Sequence, residues 1–285
     1  GAAMLSRSLQ PTIEHFNLRN NVEIELYPKF LFALDSSEIV ACHWTDLIST
    51  IHENYDEYEA FIVTHGTNTL GYTAAALSFA LENIGKPVAI TGAQVPIGLP
   101  GSDASTNLHN AIRFVSAPMK EIYGVYVVFG SQIIAGTRAK KYSEFDYDAF
   151  RSFNQAPTIG RIGRLMELDM NSLDSYSGCF LPRARKKDEL RISPNFDTRI
   201  VSITECPGLN PQYLICAVEN GAKAIILRSF GAGDPQSSLL EPFRILREQK
   251  VPIIITTQIP NGRATGKVNE PGMQSGHHGV VFVND

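Results

Sequence analysis

Ala60-Phe61-Ile62-Val63-Thr64 runs into His65-Gly66-Thr67-Asn68-Thr69, and a second apolar run, Pro87-Val88-Ala89-Ile90-Thr91, runs into Gly92-Ala93-Gln94-Val95-Pro96. Between them, Thr73 to Ile84 is rich in Ala and Leu at helical spacing. Beyond them, Asn107 to Val115 reads as helix and Val125 to Phe129 as strand. Short, continuously apolar strands that alternate with helices predict a parallel sheet covered on both faces.

Further along, the segment from Arg164 to Asp197 changes character. It carries Arg183, Arg185, Lys186 and Lys187 with little periodicity, and reads as a linker whose basic cluster is a solvated loop. The alternation then restarts. Arg199 to Ile203 is a strand, Gln212 to Asn220 a helix and Ala224 to Leu227 a strand. Ser238 to Gln249 is a helix, and Val251 to Thr256 and Val280 to Val283 are apolar runs. The predicted class is α/β with two domains: a larger N-terminal, parallel-rich sheet with flanking helices over residues 1–165, a linker over 166–197, and a smaller, Rossmann-like α/β domain over 198–285. The second domain reads as cut short, because no closing helix follows Val283.

The 285 residues are 44% apolar, enough for packed cores. A formal net charge of −4 argues against a nucleic-acid surface. No apolar stretch approaches the ~18 residues of a spanning helix, so no membrane is expected. Cys42, Cys179, Cys206 and Cys216 show no CxxC spacing, and no secretory leader is seen, which predicts a reduced, cytoplasmic setting. Cys42 reads as a packed thiol. His277-His278 diverge on any regular element and do not predict a metal. There is no GxGxxG after a strand, no GxxxxGK[ST], no GxSxG and no HExxH. Neither a metal nor an organic cofactor is expected.

Ligands of open parallel sheets bind beyond the carboxyl ends of the strands. Here those ends carry small polar residues: His65-Gly66-Thr67-Asn68, Gly92-Ala93-Gln94 and Gly130-Ser131-Gln132. Glycine there lets backbone amides approach a ligand. Two groups stand out as chemistry-bearing, Thr67 at a strand end and Lys141 after a Gly-led segment. A hydroxyl needs a base to become a nucleophile, and a lysine whose burial favours the neutral amine is one. From the local sequence alone, Thr67 reads first as a turn or cap residue and Lys141, beside Lys140 and Arg138, as a surface cation.

The ordered motifs resemble those of bacterial-type L-asparaginases in the asparaginase/glutaminase superfamily. The likeness runs from about Asp35 to Asp285 and is strongest to type I cytoplasmic and archaeal forms and to the amidase subunit of archaeal tRNA-dependent amidotransferases. Asp35-Ser36-Ser37-Glu38 is similar to a DSS-D segment. The resemblance implies Ser36 at the substrate α-carboxylate and Ser37 near the α-amino group, though serine before a helix is also a common cap. Thr64 to Leu70 is similar to THGTDTM, which implies catalytic roles for Thr67 and Asn68, with Gly66 in contact with substrate. Thr91 to Pro96 is similar to TGSQxP, which implies substrate contacts at Ala93 and Gln94. Ser102-Asp103 and Asn107-Leu108 fit the structural segment that follows, with Asp103 as a helix cap. Gly136 to Lys141, with Asp146 and Phe150, is similar to G-x-R-x-x-K…D-A-F, which implies that Lys141 is the catalytic lysine. Ile226 to Gly233 and Gly266 to Asn269 are similar to ILRSYGVGN and GKVN, in a region that holds a regulatory site in some relatives.

Two departures bear on function. The family's TGGTI segment, whose threonine is its usual primary nucleophile, occurs nowhere in this sequence, and the expectation is that the sequence in hand omits it. Asn68 stands where the family has an aspartate that pairs with the lysine and with the substrate ammonium; asparagine keeps the shape without the charge. The resemblance implies hydrolysis of L-asparagine, with L-glutamine as a second candidate, to the acid and ammonia by threonine chemistry. It also implies a homodimer or homotetramer. Two alternatives stay open: a glutaminase subunit of a tRNA-dependent amidotransferase, and a non-catalytic amino-acid-binding homologue.

Overall fold

In the computed structural model, the described residues are 24–117, 122–153, 158–169 and 189–283, with positions 10, 13, 14 and 17. The chain divides into two compact units, Gly1–Ser152 with Ala156–Asn195, and Phe153–Gln155 with Phe196–Asp285.

The first unit contains strands β1 (Phe61–Thr64), β2 (Leu81–Glu82), β3 (Pro87–Thr91), β4 (Gly124–Phe129), β5 (Gln132–Ala135), β6 (Ala139–Lys141), β7 (Phe150–Ser152), β8 (Gly160–Ile162), β9 (Met166–Leu168) and β10 (Arg191–Ile192). Its main sheet has the order β1-β3-β4-β5-β8-β9. β1 and β3 pair in parallel from Phe61↔Val88 to Thr64↔Thr91, and β3 and β4 pair in parallel from Pro87↔Gly124. The β4–β5, β5–β8 and β8–β9 pairings are antiparallel. The switch has a local cause. Gly130-Ser131, expected from sequence as a ligand-facing strand end, closes a two-residue hairpin, and Gly130 takes φ +55°, a region that favours glycine. Asp148 Oδ1 accepts the Ser131 N–H at 2.7 Å and fixes the turn.

Alternation along the strands splits the core into two faces. Ala89, Tyr126, Val128, Ile133 and Ala135 pack with Ala111 and Phe114 of the helix Ala104–Val115. The helix Leu70–Ala80 packs on β3 and β4 and buries Leu70, Thr73, Ala74, Ala76, Leu77 and Ala80. Each fully buried Leu or Ile contributes about 1.5–3 kcal/mol. The predicted helix over 73–84 ends early, at Ala80, because Leu81–Glu82 pairs with Arg191–Ile192 and Asn83 turns the chain at φ 60°. Positions 166–197, expected as a linker, supply the last strand of the main sheet and the partner of β2; residues 170–188, with Cys179 and the basic cluster, lie outside the described residues. Cys42 corrects its expectation. It is exposed, on the side of the helix Ala41–Glu53 away from the buried Leu47, Ile48 and Ile51.

One close approach sets up the site. The helix Leu70–Ala80 starts directly after Thr69, and its Gly71 lies against β6. A Cβ at Gly71 would stand 2.4 Å from the Ala139 carbonyl oxygen, and one at Gly136 would stand 2.4 Å from Ser78 Oγ. Lys141, two residues after Ala139, is thereby drawn toward the loop before the helix. β6 pairs with β7, Lys141 opposite Phe150, and strand alternation turns Lys140 outward and Lys141 inward.

The second unit is a four-stranded parallel sheet in the order β11 (Ile200–Thr204), β12 (Ala224–Ser229), β13 (Ile253–Thr257) and β14 (Val281–Phe282). The helices Gln212–Glu219 and Leu240–Glu248 bury Leu214, Phe243 and Leu246 against Ile225, Leu227, Ile253 and Ile255. The helix predicted from Ser238 begins as a 3-10 turn, Ser237–Leu239. No helix among the described residues is long and apolar enough to cross a membrane.

Substituting Gly71→Ala tests the close approach. Alanine is the better helix former by about 1 kcal/mol, but its methyl must displace backbone, at a cost of about 1–3 kcal/mol. The urea midpoint is expected to fall; an unchanged or higher midpoint would show that β6 yields freely.

Candidate active site

Lys141 Nζ donates to Thr67 Oγ1 at 2.8 Å, to Asn68 Oδ1 at 3.1 Å and to Glu144 Oε2 at 2.9 Å. Its side chain is 14% exposed, while that of Glu144 is 81% exposed. Three oxygens thus surround one amine nitrogen. The same 2.8 Å separation serves the opposite direction once the amine is neutral, since the Thr67 hydroxyl can then donate to its lone pair. Residues 67 and 141 come from different strand ends, and the Gly71–Ala139 contact makes them neighbours. The Lys141–Glu144 pair is half in solvent, and pairs of that kind contribute about 0–1 kcal/mol.

Asn68 links this cluster to the segment at 35–38. Its Nδ2 donates to Ser37 Oγ at 3.1 Å. Ser36–Glu38 is a single 3-10 turn capped by Asp35, whose carboxylate accepts the Ser37 N–H at 2.8 Å and is held below its ordinary pKa chiefly by that bond. The cap is thus Asp35 and not a serine, and the long helix starts only at Ala41. Ser36 is buried directly under Gly66; a Cβ at Gly66 would lie 2.8 Å from Ser36 Cβ and Oγ. Thr69 Oγ1 donates to the Ser36 carbonyl at 2.6 Å, which ties the two loops together. Ser37, Gly66 and Asn68 are exposed.

Two peptide planes are locked by side chains that the sequence reading left without a role at the site. His65 Nδ1 lies 2.7 Å from the Gly66 carbonyl oxygen, and Trp44 Nε1, Thr73 Oγ1 and His65 Nε2 form a chain with steps of 2.9 and 2.8 Å. A carbonyl and an indole N–H allow one neutral arrangement: Trp44 donates to Thr73, Thr73 to Nε2, and Nδ1–H to Gly66. The trans Gly66–Thr67 peptide then points the Thr67 N–H away from the histidine. Asn107 Nδ2 likewise donates to the Gly92 carbonyl at 2.9 Å and aims the Ala93 N–H in the opposite direction. Gly92 is pressed on the first loop, since a Cβ there would sit 2.2 Å from the His65 carbonyl oxygen. The signal for these residues was available. His65 and Trp44 sit inside or beside the quoted motifs, but single-sequence reading gives no partner for them.

Asp103 holds the N-cap position of the helix Ala104–Val115 without capping it. Its carboxylate accepts from the Gln94 and Val95 N–H groups at 3.1 and 2.9 Å and from Asn107 Nδ2 at 2.8 Å. The Gln94 side chain donates to the carbonyls of Ser143 and Asp146, both at 3.2 Å, and so fastens the loop that carries Glu144. Among the described residues, no group of three or more His, Cys, Asp and Glu is placed to hold a metal.

Residues 4–173 match the family described as Asparaginase, N-terminal, and residues 199–285 match the Glutaminase/Asparaginase C-terminal domain. The chain belongs to the asparaginase family. It is 32% identical over 256 residues to L-asparaginase 1 of Escherichia coli K12, covering 87% of this chain and 70% of that one. It is 34% identical over 255 residues to the L-asparaginase of Thermococcus kodakarensis, covering 88% and 73%. The solved structure of the thermostable Thermococcus kodakarensis enzyme superposes with a TM-score of 0.81 at 30% identity, over 96% of this chain and 79% of that chain. A glutamyl-tRNA(Gln) amidotransferase subunit of Pyrococcus abyssi is 30% identical over 266 residues, which span 90% of this chain and 58% of that protein.

Burial lowers the His65 pKa, outweighing the opposing effect of its bond to Gly66. Above about pH 6.5 the ring is neutral folded and unfolded. Below that the unfolded chain takes up the proton first, so stability is lost as pH falls toward the lowered folded value. Unfolding midpoints from about pH 7.5 to about pH 5 are expected to decline, with a smaller decline in His65→Asn; identical slopes would refute a buried neutral imidazole.

Proposed function

We propose that this asparaginase-family chain is an amidohydrolase that converts L-asparagine to L-aspartate and ammonia with Thr67 as nucleophile. The observation that carries this reading is the 2.8 Å contact between Lys141 Nζ and Thr67 Oγ1. Neutral Lys141 takes the Thr67 proton as the oxygen attacks the side-chain amide carbon. The resulting ammonium returns a proton to the leaving nitrogen, ammonia departs, and an ester on Thr67 remains. Lys141 then deprotonates a water that cleaves the ester and regenerates the hydroxyl. The Ala93 N–H, aimed by Asn107, is the proposed oxyanion donor; donors of this kind contribute about 3–4 kcal/mol in other enzymes. Ser36, Ser37 and Gly66 are proposed to line the amino-acid end of the site, with Gln94 acting through the loop it fastens.

The chemistry requires no cofactor. A cytoplasmic setting and a homodimer or homotetramer are proposed from the family resemblance. Beside the Thr67–Lys141 pair, Asn68 supplies shape and a hydrogen bond in place of charge. A second reading, a glutaminase role within a tRNA-dependent amidotransferase, is favoured by the likeness to the Pyrococcus abyssi amidotransferase protein. It predicts that glutamine is preferred over asparagine.

Ammonia release from each amide by the purified chain separates the readings. Lys141→Met is expected to lower turnover by about 10²–10⁴-fold. Thr67→Val is expected to lower it by more than about 10³-fold. Both variants should keep the wild-type stability within about 1 kcal/mol, read from the urea midpoint. Turnover within about tenfold of wild type in Thr67→Val would exclude this nucleophile.

A further inference from the structure

The indole N–H of Trp44, the chain's single tryptophan, begins a path that ends at the peptide before Thr67. It runs from the helix Ala41–Glu53 to Thr73 of the helix Leu70–Ala80, then through the His65 ring to the Gly66 carbonyl. Thr73 is buried, and its backbone N–H is spent on the Thr69 carbonyl at 3.0 Å.

His65 is pinned by its own backbone. Its N–H donates to the Thr91 carbonyl at 2.8 Å, and Gly92 is pressed on its carbonyl oxygen. The next peptide, Gly66–Thr67, begins at an exposed glycine, whose backbone tolerates either face of the peptide. The neutral ring therefore has two self-consistent settings. In the one this structure takes, Nε2 accepts from Thr73 and Nδ1–H donates to the Gly66 carbonyl. In the other the peptide is turned over: Nε2–H donates to Thr73, and bare Nδ1 accepts the Thr67 N–H.

The indole separates the two. An indole N–H can only donate, and in the first setting the Thr73 hydroxyl accepts from it and passes its own proton to Nε2. In the second setting that hydroxyl accepts twice. Its proton must then turn back to a carbonyl of its own helical turn, such as that of Thr69, which already holds the Thr73 N–H. Turning the peptide over also changes φ at Thr67 and swings its hydroxyl from Lys141 Nζ, 2.8 Å away.

We propose that Trp44 is a positioning residue for the hydrolysis: acting through Thr73, it selects the Nδ1–H tautomer of His65 and so holds the peptide that carries the nucleophile in its productive orientation. This rests on the reading of Thr67 as nucleophile.

The test joins kinetics to the state of the ring. Trp44→Phe keeps an aromatic side chain and deletes the donor. Its kcat for ammonia release from L-asparagine is expected to fall about tenfold, with KM within about twofold of wild type. His65→Asn puts an amide, which has no tautomers, in place of the ring. In that background, adding Trp44→Phe should change kcat by less than about twofold. Long-range proton–nitrogen NMR correlation spectra, with the His65 signals assigned by their loss in His65→Asn, should show protonated Nδ1 in wild type and a rise of protonated Nε2 in Trp44→Phe. If Trp44→Phe fails to fold, benzothienylalanine replaces the single tryptophan; its sulfur stands for the indole N–H at nearly the same shape, and the same losses are expected. An unchanged kcat, a loss confined to KM, a loss of equal size in the His65→Asn background, or an unchanged ring would overturn the proposal. If wild type releases no ammonia, the hydrolytic reading fails and the spectra decide the Trp44 assignment. If it releases ammonia while neither kcat nor the ring responds, the hydrolytic reading stands and the assignment fails.

Discussion

The backbone contact between Gly71 and Ala139 is the constraint on which the site depends. A helix can lie this close to a strand only where no Cβ intervenes, and both partners are backbone. The helix carries the end of the Thr67 loop with it, and the strand carries Lys141. Packing thereby turns two residues far apart in sequence into a 2.8 Å donor–acceptor pair. The functional geometry is a by-product of how the small-residue face of Leu70–Ala80 seats on its neighbours.

Around that pair, polar side chains act mainly on backbone. His65 holds the Gly66 carbonyl, Asn107 the Gly92 carbonyl and Asp103 two amides of the next loop. Each spends its hydrogen bonds on a peptide group that would otherwise be free to rotate. The result is a set of strand-end loops with fixed N–H directions, the preorganisation that amide hydrolysis demands. Charge is placed differently. The carboxylate facing Lys141 sits on an exposed loop, so the electrostatics of the site are adjustable where its backbone is not.

Much of this was legible from residues alone. The strands around Ala89 and Val127 announced themselves as continuous apolar runs because they are covered on both faces, and the half-buried edge strand around Ile62 carries a similar run. Thr67 and Lys141 stood out through motifs of small residues at strand ends. The antiparallel half of the main sheet was not legible, because Gly130-Ser131 reads equally as a strand end and as a hairpin. Nor was the shortened helix at Ala80, since its end depends on Arg191–Ile192, far away in sequence. Asp103 looked like a cap because caps are local, while its amide partners at 94 and 95 lie across a loop. Glu144 carried no signal, being one acidic residue in a polar stretch.

By itself, the sequence determined the alternation of strands and helices, the family, and the residue types available for chemistry. Periodicity and short motifs depend on neighbours along the chain, and those are written directly in the order of residues. Only the tertiary structure decided which of those residues meet. That Gln94 fastens a loop and that Glu144 is the anion beside the amine follow from close packing between distant segments. Such contacts arise from burying surface in three dimensions, and no local rule encodes their direction.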